Sequence, residues 1–157
     1  MNNLILSLVA GLGATLAIGV LSYAEVSLTE VVLLMAPFGA TAVLVFGVPS
    51  SPLAQPKNVI IGHFITASIG IAFSQYVDVT PVTLAIATGL GVSAMLITKT
   101  THPPAGANPI LIMASGQGWS FLFTPVLIGA VVIVLVGKGL QLIQSQYLNP
   151  RLNGQKT

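Results

Sequence analysis

Four long apolar runs leave this chain few ways to fold. They are Leu4–Tyr23, Asn58–Tyr76, Val82–Thr98 and Ser120–Gln141. As a helix, the first run spans roughly 30 Å, which matches the hydrocarbon core of a bilayer. Only 5% of the residues are charged, whereas soluble domains carry about 25%. We therefore expect an all-α, polytopic transmembrane helical bundle.

The first run, Leu4–Tyr23, has a second interpretation as a cleaved signal peptide. However, the uncharged residues Asn2 and Asn3 precede it where a signal peptide has basic residues. The run is also longer than the usual apolar region of a signal peptide. We therefore expect it to cross the membrane as a helix.

Two shorter segments, Val31–Phe46 and Pro104–Ala114, each carry a Pro-x-Gly-Ala element. The sequence PFGATAVL from Pro37 aligns with PAGANPIL from Pro104. Each short segment lies between two long ones, so we predict a single domain, 1–157, built from two repeats of three segments, about 4–76 and about 82–146. Repeats with an odd number of segments insert in opposite orientations, and paired Gly/Pro-interrupted segments are a pointer to a transporter binding site.

The distribution of charge favours six crossings. With six, all basic residues fall on one side and all acidic residues on the other. The basic residues are Lys57, Lys99, Lys138, Arg151 and Lys156, and the acidic ones are Glu25, Glu30 and Asp78. Because basic residues prefer the cytoplasm, we expect both termini there. The alternative has four crossings and two re-entrant short segments, which mixes the charges.

The stretch Thr98–Leu111, TKTTHPPAGANPIL, interrupts the apolar sequence with polar residues and prolines. A helix can break inside a membrane only where protein or a water-filled cavity shields it. We expect the starts of two half-helices, with their unpaired amides, to bind a small anion. The candidate binding residues are Gly39, Ala40, Thr41, Lys57, His102, Gly106, Ala107 and Asn108. Alternatively, the Pro-x-Gly-Ala elements only kink helices and allow close packing.

His63 lies six residues beyond Lys57, roughly 9 Å deeper along a helix. With Ala67, Gly70 and Ser74 it forms a stripe that should face the bundle. Histidine can carry a proton near neutral pH, so His63 is a candidate for proton coupling. The plainer alternatives are a neutral histidine bonded to a backbone carbonyl and, for Lys57, a lysine that reaches the lipid phosphates.

Several function classes lack the residues that they need. The chain has no cysteine, which excludes disulfides and thiolate chemistry. Two histidines without a carboxylate inside the membrane make a poor metal site, so we expect neither metal nor cofactor. No Ser/His/Asp triad or carboxylate pair is present, and we expect no enzyme. The net charge of +2 is too small and too scattered to indicate nucleic-acid binding.

The sequences THPPAGANP and APFGATAVLVFGVPSSPLAQPKNVIIGH resemble the HPP family of integral membrane proteins. The family takes its name from the tripeptide at His102–Pro104, and the similarity extends from about Leu16 to Val136. The resemblance implies nitrite transport, with members in cyanobacteria and plastids, and hence a cyanobacterial inner or plasma membrane. The family is usually described with four spanning helices, which conflicts with the six crossings favoured by charge.

Together these observations predict a passive or proton-coupled carrier of a small monovalent anion, nitrite foremost. Lys57 and His102 would raise the local anion concentration. The alternatives are a channel or carrier for another small solute and a membrane subunit that transports nothing. We also expect a homo-oligomer in the lipid bilayer, most simply a dimer, with the small-residue face of Gly11, Thr15 and Gly19 within or between subunits.

Overall fold

The computed structural model describes residues 3–28 and 31–148, which form an all-α protein with no β-strand among them. The α-helices are α1 (Asn3–Ser27), α2 (Pro37–Ala42), α3 (Pro56–Tyr76), α4 (Pro81–Ile97), α5 (Asn108–Ser115) and α6 (Ile128–Ile143). Three of them adjoin turns of other pitch. A π-helical turn, Val43–Gly47, extends α2, a 3₁₀ turn, Pro103–Ala107, precedes α5, and a π-helical turn, Leu122–Leu127, precedes α6.

Three helices are long and apolar enough to cross a membrane. They are α1, α3 and the continuous unit Leu122–Gln146 that contains α6. The run Val82–Thr98, which the sequence predicts as a fourth unaided span, corresponds to α4 with 17 residues. Such a helix rises only about 25 Å, a little less than the hydrocarbon core. The protein is thus an integral membrane helical bundle with three full-length candidate spans.

Local sequence explains where the helices begin and end. At the start of α4, Thr80 and Thr83 each accept a hydrogen bond from the other's backbone amide, which forms a capping box. Pro81 fits the first helical position because it has no amide hydrogen to satisfy. At the C-terminal end of α5, Gly116 adopts a φ of 65°, a left-handed conformation that glycine tolerates and that ends the helix.

The first short segment crosses the bundle from one end to the other. Before α2, the Glu25 carboxylate accepts hydrogen bonds from the amides of Leu33 and Leu34, at 2.7 and 2.8 Å. These bonds satisfy extended backbone beside the last turns of α1. At its far end the segment reaches Pro49, which lines a cavity with Leu6 near the start of α1. The segment therefore runs antiparallel to α1 over most of its length.

The second short segment lies along α3 in the same direction. The Asn58 side chain donates to the Thr101 carbonyl, at 3.0 Å, near the start of α3. The Gln75 side chain donates to the Gln117 carbonyl, at 3.2 Å, near its end. We call the end of the bundle with Leu6, Pro49, Lys57 and Thr101 the Lys57 end, and the end with Glu25, Tyr76, Pro81 and Gln117 the Tyr76 end.

Glycine notches seat the first short segment against the α6 unit. A Cβ at Gly129 would collide with the ring of Phe38, and one at Gly137 would collide with Val45. Because these glycines are eight residues apart, they lie on one face of α6. Phe38 and Val45 are buried there in the apolar core. The segment Pro37–Gly47 is thus fixed at two points along α6.

The small-residue face of α4 packs inside the bundle, whereas the one predicted on α1 does not. Ala87, Gly91 and Met95 are buried on α4, as expected for a close-packed face. On α1 the buried residues are Gly13, Ala17 and Leu21. At Gly11 and Gly19, by contrast, an added Cβ would meet nothing within 4 Å. At these two glycines, α1 does not pack closely against the other residues that the structure describes.

The described charges separate between the two ends. Lys57 and Lys99 lie at the Lys57 end, where α3 begins and α4 ends, and Glu25 and Asp78 lie at the Tyr76 end. Lys138 lies in the second half of α6, the half that leads toward Gln144 at the Lys57 end. Glu30, Arg151 and Lys156, which also entered the topology argument, lie outside the described residues. The two-repeat organisation, the absolute orientation and the number of crossings remain predictions.

Candidate functional site

His63 lies at the centre of a buried polar cluster. It follows the first residue of α3 by seven positions, which places it about 10 Å along the helix from the Lys57 end. Its side chain is fully buried. The Nε2 atom lies 2.8 Å from Oγ1 of Thr41, and the Nδ1 atom lies 3.0 Å from Nδ2 of Asn108. Both nitrogens are therefore hydrogen-bonded without water or lipid.

The contacts of Asn108 determine which nitrogen of His63 carries the proton. Nδ2 of Asn108 lies 3.1 Å from the carbonyl oxygen of His63, which can only accept a hydrogen bond. This fixes the orientation of the amide, whose two hydrogens are shared among three acceptors: the His63 carbonyl oxygen, Oγ1 of Thr66 and Nδ1 of His63, the last two at 3.0 Å each. In a neutral imidazole the hydrogen must then lie on Nε2, from which His63 donates to Thr41.

His102 continues the chain of hydrogen bonds toward the Lys57 end. Its Nδ1 lies 2.8 Å from the carbonyl oxygen of Leu53, so Nδ1 carries a hydrogen and donates it. Its Nε2, 3.0 Å from Thr41 Oγ1, then accepts from the Thr41 hydroxyl, for which the Pro37 carbonyl oxygen in α2, at 3.2 Å, is a second acceptor. His63 therefore donates to Thr41, Thr41 donates to His102, and His102 donates to the Leu53 carbonyl, so that the donors all point toward the Lys57 end. The two imidazole rings are 5.0 Å apart, centroid to centroid.

The cluster joins four parts of the chain within an otherwise apolar bundle. Thr41 comes from α2, His63 from α3, His102 from the loop before the 3₁₀ turn, and Asn108 from the first position of α5. All four side chains are fully buried. Thr41 and Asn108, aligned by the predicted repeat, bond to opposite nitrogens of the same imidazole. These four of the predicted site residues do come together.

The small residues of the predicted site lie elsewhere. Gly39, Ala40 and Ala107 are exposed, and Gly106 is half-buried. A Cβ at Gly39 or at Gly106 would meet nothing within 4 Å. Ala40 and Ala107 line an apolar groove of about 960 Å³ between α2 and the Pro103–Ser115 segment. Gly39 lines a separate cavity beside α1, so these small residues do not surround the polar cluster.

Amides at the starts of the short helices already have partners. The amide of Phe38 donates to Met35 at 3.0 Å, and that of Gly39 to Ala36 at 3.1 Å. The amide of Ala105 donates to the His102 carbonyl, at 2.9 Å. In this conformation the hydrogen-bonding capacity of the site therefore comes from side chains, and these particular amides offer little.

Lys57 is exposed at the second position of α3. Its neighbour Asn58 bonds to Thr101, directly before His102. The lysine therefore lies at the end of the bundle toward which the donors of the cluster point. Within residues 3–28 and 31–148, no group of three or more His, Asp or Glu side chains is placed to hold a metal ion.

Two members of the hydrogen-bond network, Thr66 and the Leu53 carbonyl, were not predicted from the sequence. Thr66 lies three residues after His63, so helical spacing places it on the same face and could have identified it. The Leu53 carbonyl had no comparable signal, because any residue offers a backbone oxygen. Its role depends on the turn Pro52–Ala54 folding back against His102.

Comparison with known proteins gives a family and two relatives. A family model described as the transmembrane region of HPP matches residues 2–148. Two transmembrane proteins of Dictyostelium discoideum are 37% and 36% identical in alignments of 128 positions that cover 76% of this chain. The chain spans 45% and 41% of their respective lengths. No solved structure matches.

Proposed function

Since this chain belongs to the HPP transmembrane family, we propose that it carries a small monovalent anion, nitrite foremost, across the membrane. The observation that carries the proposal is the buried cluster of Thr41, His63, His102 and Asn108. Polar and ionisable side chains are costly inside a membrane and usually mark a substrate or proton path. Here they are gathered where two interrupted segments meet one long helix.

The cluster has the chemistry to hold a small oxyanion. Nitrite offers two oxygen acceptors, and the cluster supplies an imidazole N–H, a hydroxyl and an amide as donors. When the network opens, the anion can accept the bonds that Thr41 and His102 now accept. This mode of binding needs no arginine cage, because a few well-placed donors suffice for one charge. Gly39, Ala40, Gly106 and Ala107 would contribute only by letting the segments move.

Lys57 serves this function at the entrance. As an exposed cation at the Lys57 end, it raises the local concentration of anions. Its effect should therefore weaken as salt is added, since exposed charges are screened beyond about 8 Å at physiological ionic strength. We assign it to attraction of the anion rather than to direct binding in the buried cluster.

His63 is the proposed carrier of a coupling proton. A second proton would bind to Nδ1, which now accepts from the Asn108 amide. Two donors cannot share that contact, so protonation requires Asn108 to turn its amide and present its oxygen. Proton binding would thus alter the first residue of α5. This gives a physical link between protonation and movement of the short helix.

Uptake into proteoliposomes tests the proposed function. We expect nitrite to enter faster than into empty liposomes, and faster than nitrate, chloride or formate. Thr41→Val preserves the shape but removes the hydroxyl between the two histidines, and should reduce nitrite uptake by about tenfold, the loss of roughly 1.4 kcal/mol. Thr88→Val is the matched control, because Thr88 bonds only to Leu84 in its own helix.

The alternatives make different predictions in the same assay. Equal uptake of all four anions, sensitive to Thr41→Val, would indicate a less selective carrier or channel. No uptake by correctly folded protein would favour a membrane subunit that transports nothing. Uptake that is unchanged by Thr41→Val would exclude the buried cluster as the substrate site.

A further inference from the structure

Two buried polar atoms stand out because they have no hydrogen-bond partner. Among the residues that the structure describes, these are Oγ of Ser74 and Oδ1 of Asn108. Leaving a buried polar atom unpaired typically costs about 1–3 kcal/mol. Asn108 is fully buried, and its amide nitrogen makes three contacts while its oxygen makes none. Such atoms call for an explanation, and a binding site is one.

Asn108 lies in the contact between α3 and α5, and Ser74 lies on the face of α3 that makes this contact. These helices run in parallel, with Asn108 beside His63 at one end and Gln117 beside Gln75 at the other. We call this contact the α3–α5 seam. On α3 the seam includes His63, Thr66, Gly70 and Ser74, whose spacing places them on one helical face. Thr66 and Ser74 are separated by about 12 Å along the helix axis.

Between Asn108 and Ser74, the backbone of α3 at Gly70 comes close to the backbone of α5 at Pro109. A Cβ at Gly70 would lie only 2.8 Å from Cα of Pro109 and 3.4 Å from Cβ of Ile112. Because the nearest atom belongs to the backbone, no side-chain rotation could make room there. The contact leaves no space for a solute. It therefore separates the buried histidine cluster from Ser74.

We propose that the α3–α5 seam is the path along which a small solute moves, with Ser74 as a second polar contact and with Gly70 and Pro109 as the closed point. This inference rests on the proposed transport function and adds to it a route and a barrier. A solute that satisfies Oδ1 of Asn108 must donate a hydrogen bond. Nitrite would make that contact in its protonated form.

The ends of α5 suit a helix that moves as a unit. It has eight residues, follows the 3₁₀ turn Pro103–Ala107, and ends at Gly116 in the left-handed conformation. Changes of a few backbone angles at such positions can swing a short rigid element. Displacement of α5 from α3 would separate Pro109 from Gly70 and open the seam. The Asn108 amide, at the start of α5, connects this movement to His63.

Cysteine accessibility tests the seam, and the chain has no native cysteine to interfere. The variants are Ser74→Cys in the seam and Ser68→Cys as the matched control on the same helix. Ser68 bonds to Phe64, whose ring is 40% exposed on the outer surface of the bundle. A membrane-impermeant thiosulfonate is applied to one face of the membrane at a time. Ser27→Cys and Ser50→Cys, both exposed, identify the Tyr76 and Lys57 ends.

We expect Ser74→Cys to react from the Tyr76 end at least about tenfold faster than Ser68→Cys. The thiolate attacks the thiosulfonate and displaces sulfinate, and the thiol ionises only where water reaches it. From the Lys57 end it should be unreactive, since Gly70 and Pro109 block the way. Saturating nitrite should slow the reaction several-fold. Equal rates for Ser74→Cys and Ser68→Cys, or no protection by nitrite, would overturn the path, and equal reaction from both ends would overturn the barrier.

The labelling result is independent of turnover, so the two proposals can fail separately. Normal nitrite uptake with an unreactive Ser74→Cys would remove the seam and leave the transport function. A reactive Ser74→Cys that nitrite does not protect, in protein without nitrite uptake, would count against nitrite transport and against the seam as its path.

Discussion

At the scale of single residues, where a threonine lies in the bundle decides whether it belongs to the candidate site. Thr41 is one of many threonines, but it alone bridges the two histidines, at 2.8 and 3.0 Å. Thr88, by contrast, bonds only to Leu84 in its own helix. A hydroxyl that returns its hydrogen to the preceding turn is a tolerated polar group. One that links three chain segments defines a site.

The contrast between the two histidines gives a prediction. We expect His63→Gln to flatten the dependence of nitrite uptake on external pH, because glutamine keeps hydrogen bonding but does not titrate between pH 5 and 8. His102→Gln should instead weaken apparent nitrite affinity and retain the pH response. The measurement is initial uptake against pH and nitrite concentration, with uptake by empty liposomes subtracted. A His63→Gln protein with the parental pH profile would assign that residue to packing alone.

At the scale of helices, glycines set how closely the elements approach. Gly129 and Gly137 admit Phe38 and Val45, and Gly70 admits the backbone of Pro109. Small residues at such contacts let membrane helices approach closely and gain van der Waals attraction. By contrast, Gly19 on α1 meets no neighbour. Identical residues therefore have different structural roles, which only the fold reveals.

This difference predicts opposite effects for two identical substitutions. Gly70→Ala should destabilise the protein by about 1–3 kcal/mol, because its methyl group would press on the Pro109 backbone. Gly19→Ala, the control, should be neutral or slightly stabilising, since alanine favours a helix over glycine by about 0.5–1 kcal/mol. Denaturant unfolding in the same detergent measures both. Equal stabilities of the two variants would contradict the close approach at Gly70.

The elements were more predictable from sequence than the site. Long apolar runs and Pro-rich starts identify α3 and α4 to within two residues, because lipid exposure and proline geometry act locally. The sequence also identified Thr41, His63, His102 and Asn108 as candidates. It could not show that they meet while Ala40 and Ala107 line a groove, because that depends on how α2 is oriented against α6. Such rotation is set by packing at Gly129 and Gly137.

At the scale of the whole molecule, the bundle has two chemically different ends. Lys57 and Lys99 lie at one end, and Glu25 and Asp78 at the other. The third described lysine, Lys138, lies in the second half of α6. Trp119 and Tyr76 bond to each other at the Tyr76 end, where interfacial aromatics are expected. Both interrupted segments extend between the two ends. Six crossings, with the Lys57 end in the cytoplasm, remain the prediction made from the sequence.

Sided labelling of intact cells tests this orientation. Cysteines introduced at Ser27 and Asp78, both exposed at the Tyr76 end, should react with an impermeant reagent from outside. A cysteine at Ser50, exposed at the Lys57 end, should react only after the cells are opened. External reaction at Ser50 together with no reaction at Ser27 would invert the orientation. External reaction at all three would contradict a crossing between Ser27 and Ser50.

The uniform direction of the hydrogen bonds through His63, Thr41 and His102 has a consequence for the energised membrane. A proton wire conducts only if each member can pass a hydrogen forward and then be reset. Here the Leu53 carbonyl has no hydrogen to give back, and the Asn108 amide blocks the free lone pair of His63. In this conformation a proton can therefore neither enter nor leave the hydrogen-bonded chain at its two ends. A cell could keep this protein in its membrane without short-circuiting its proton gradient.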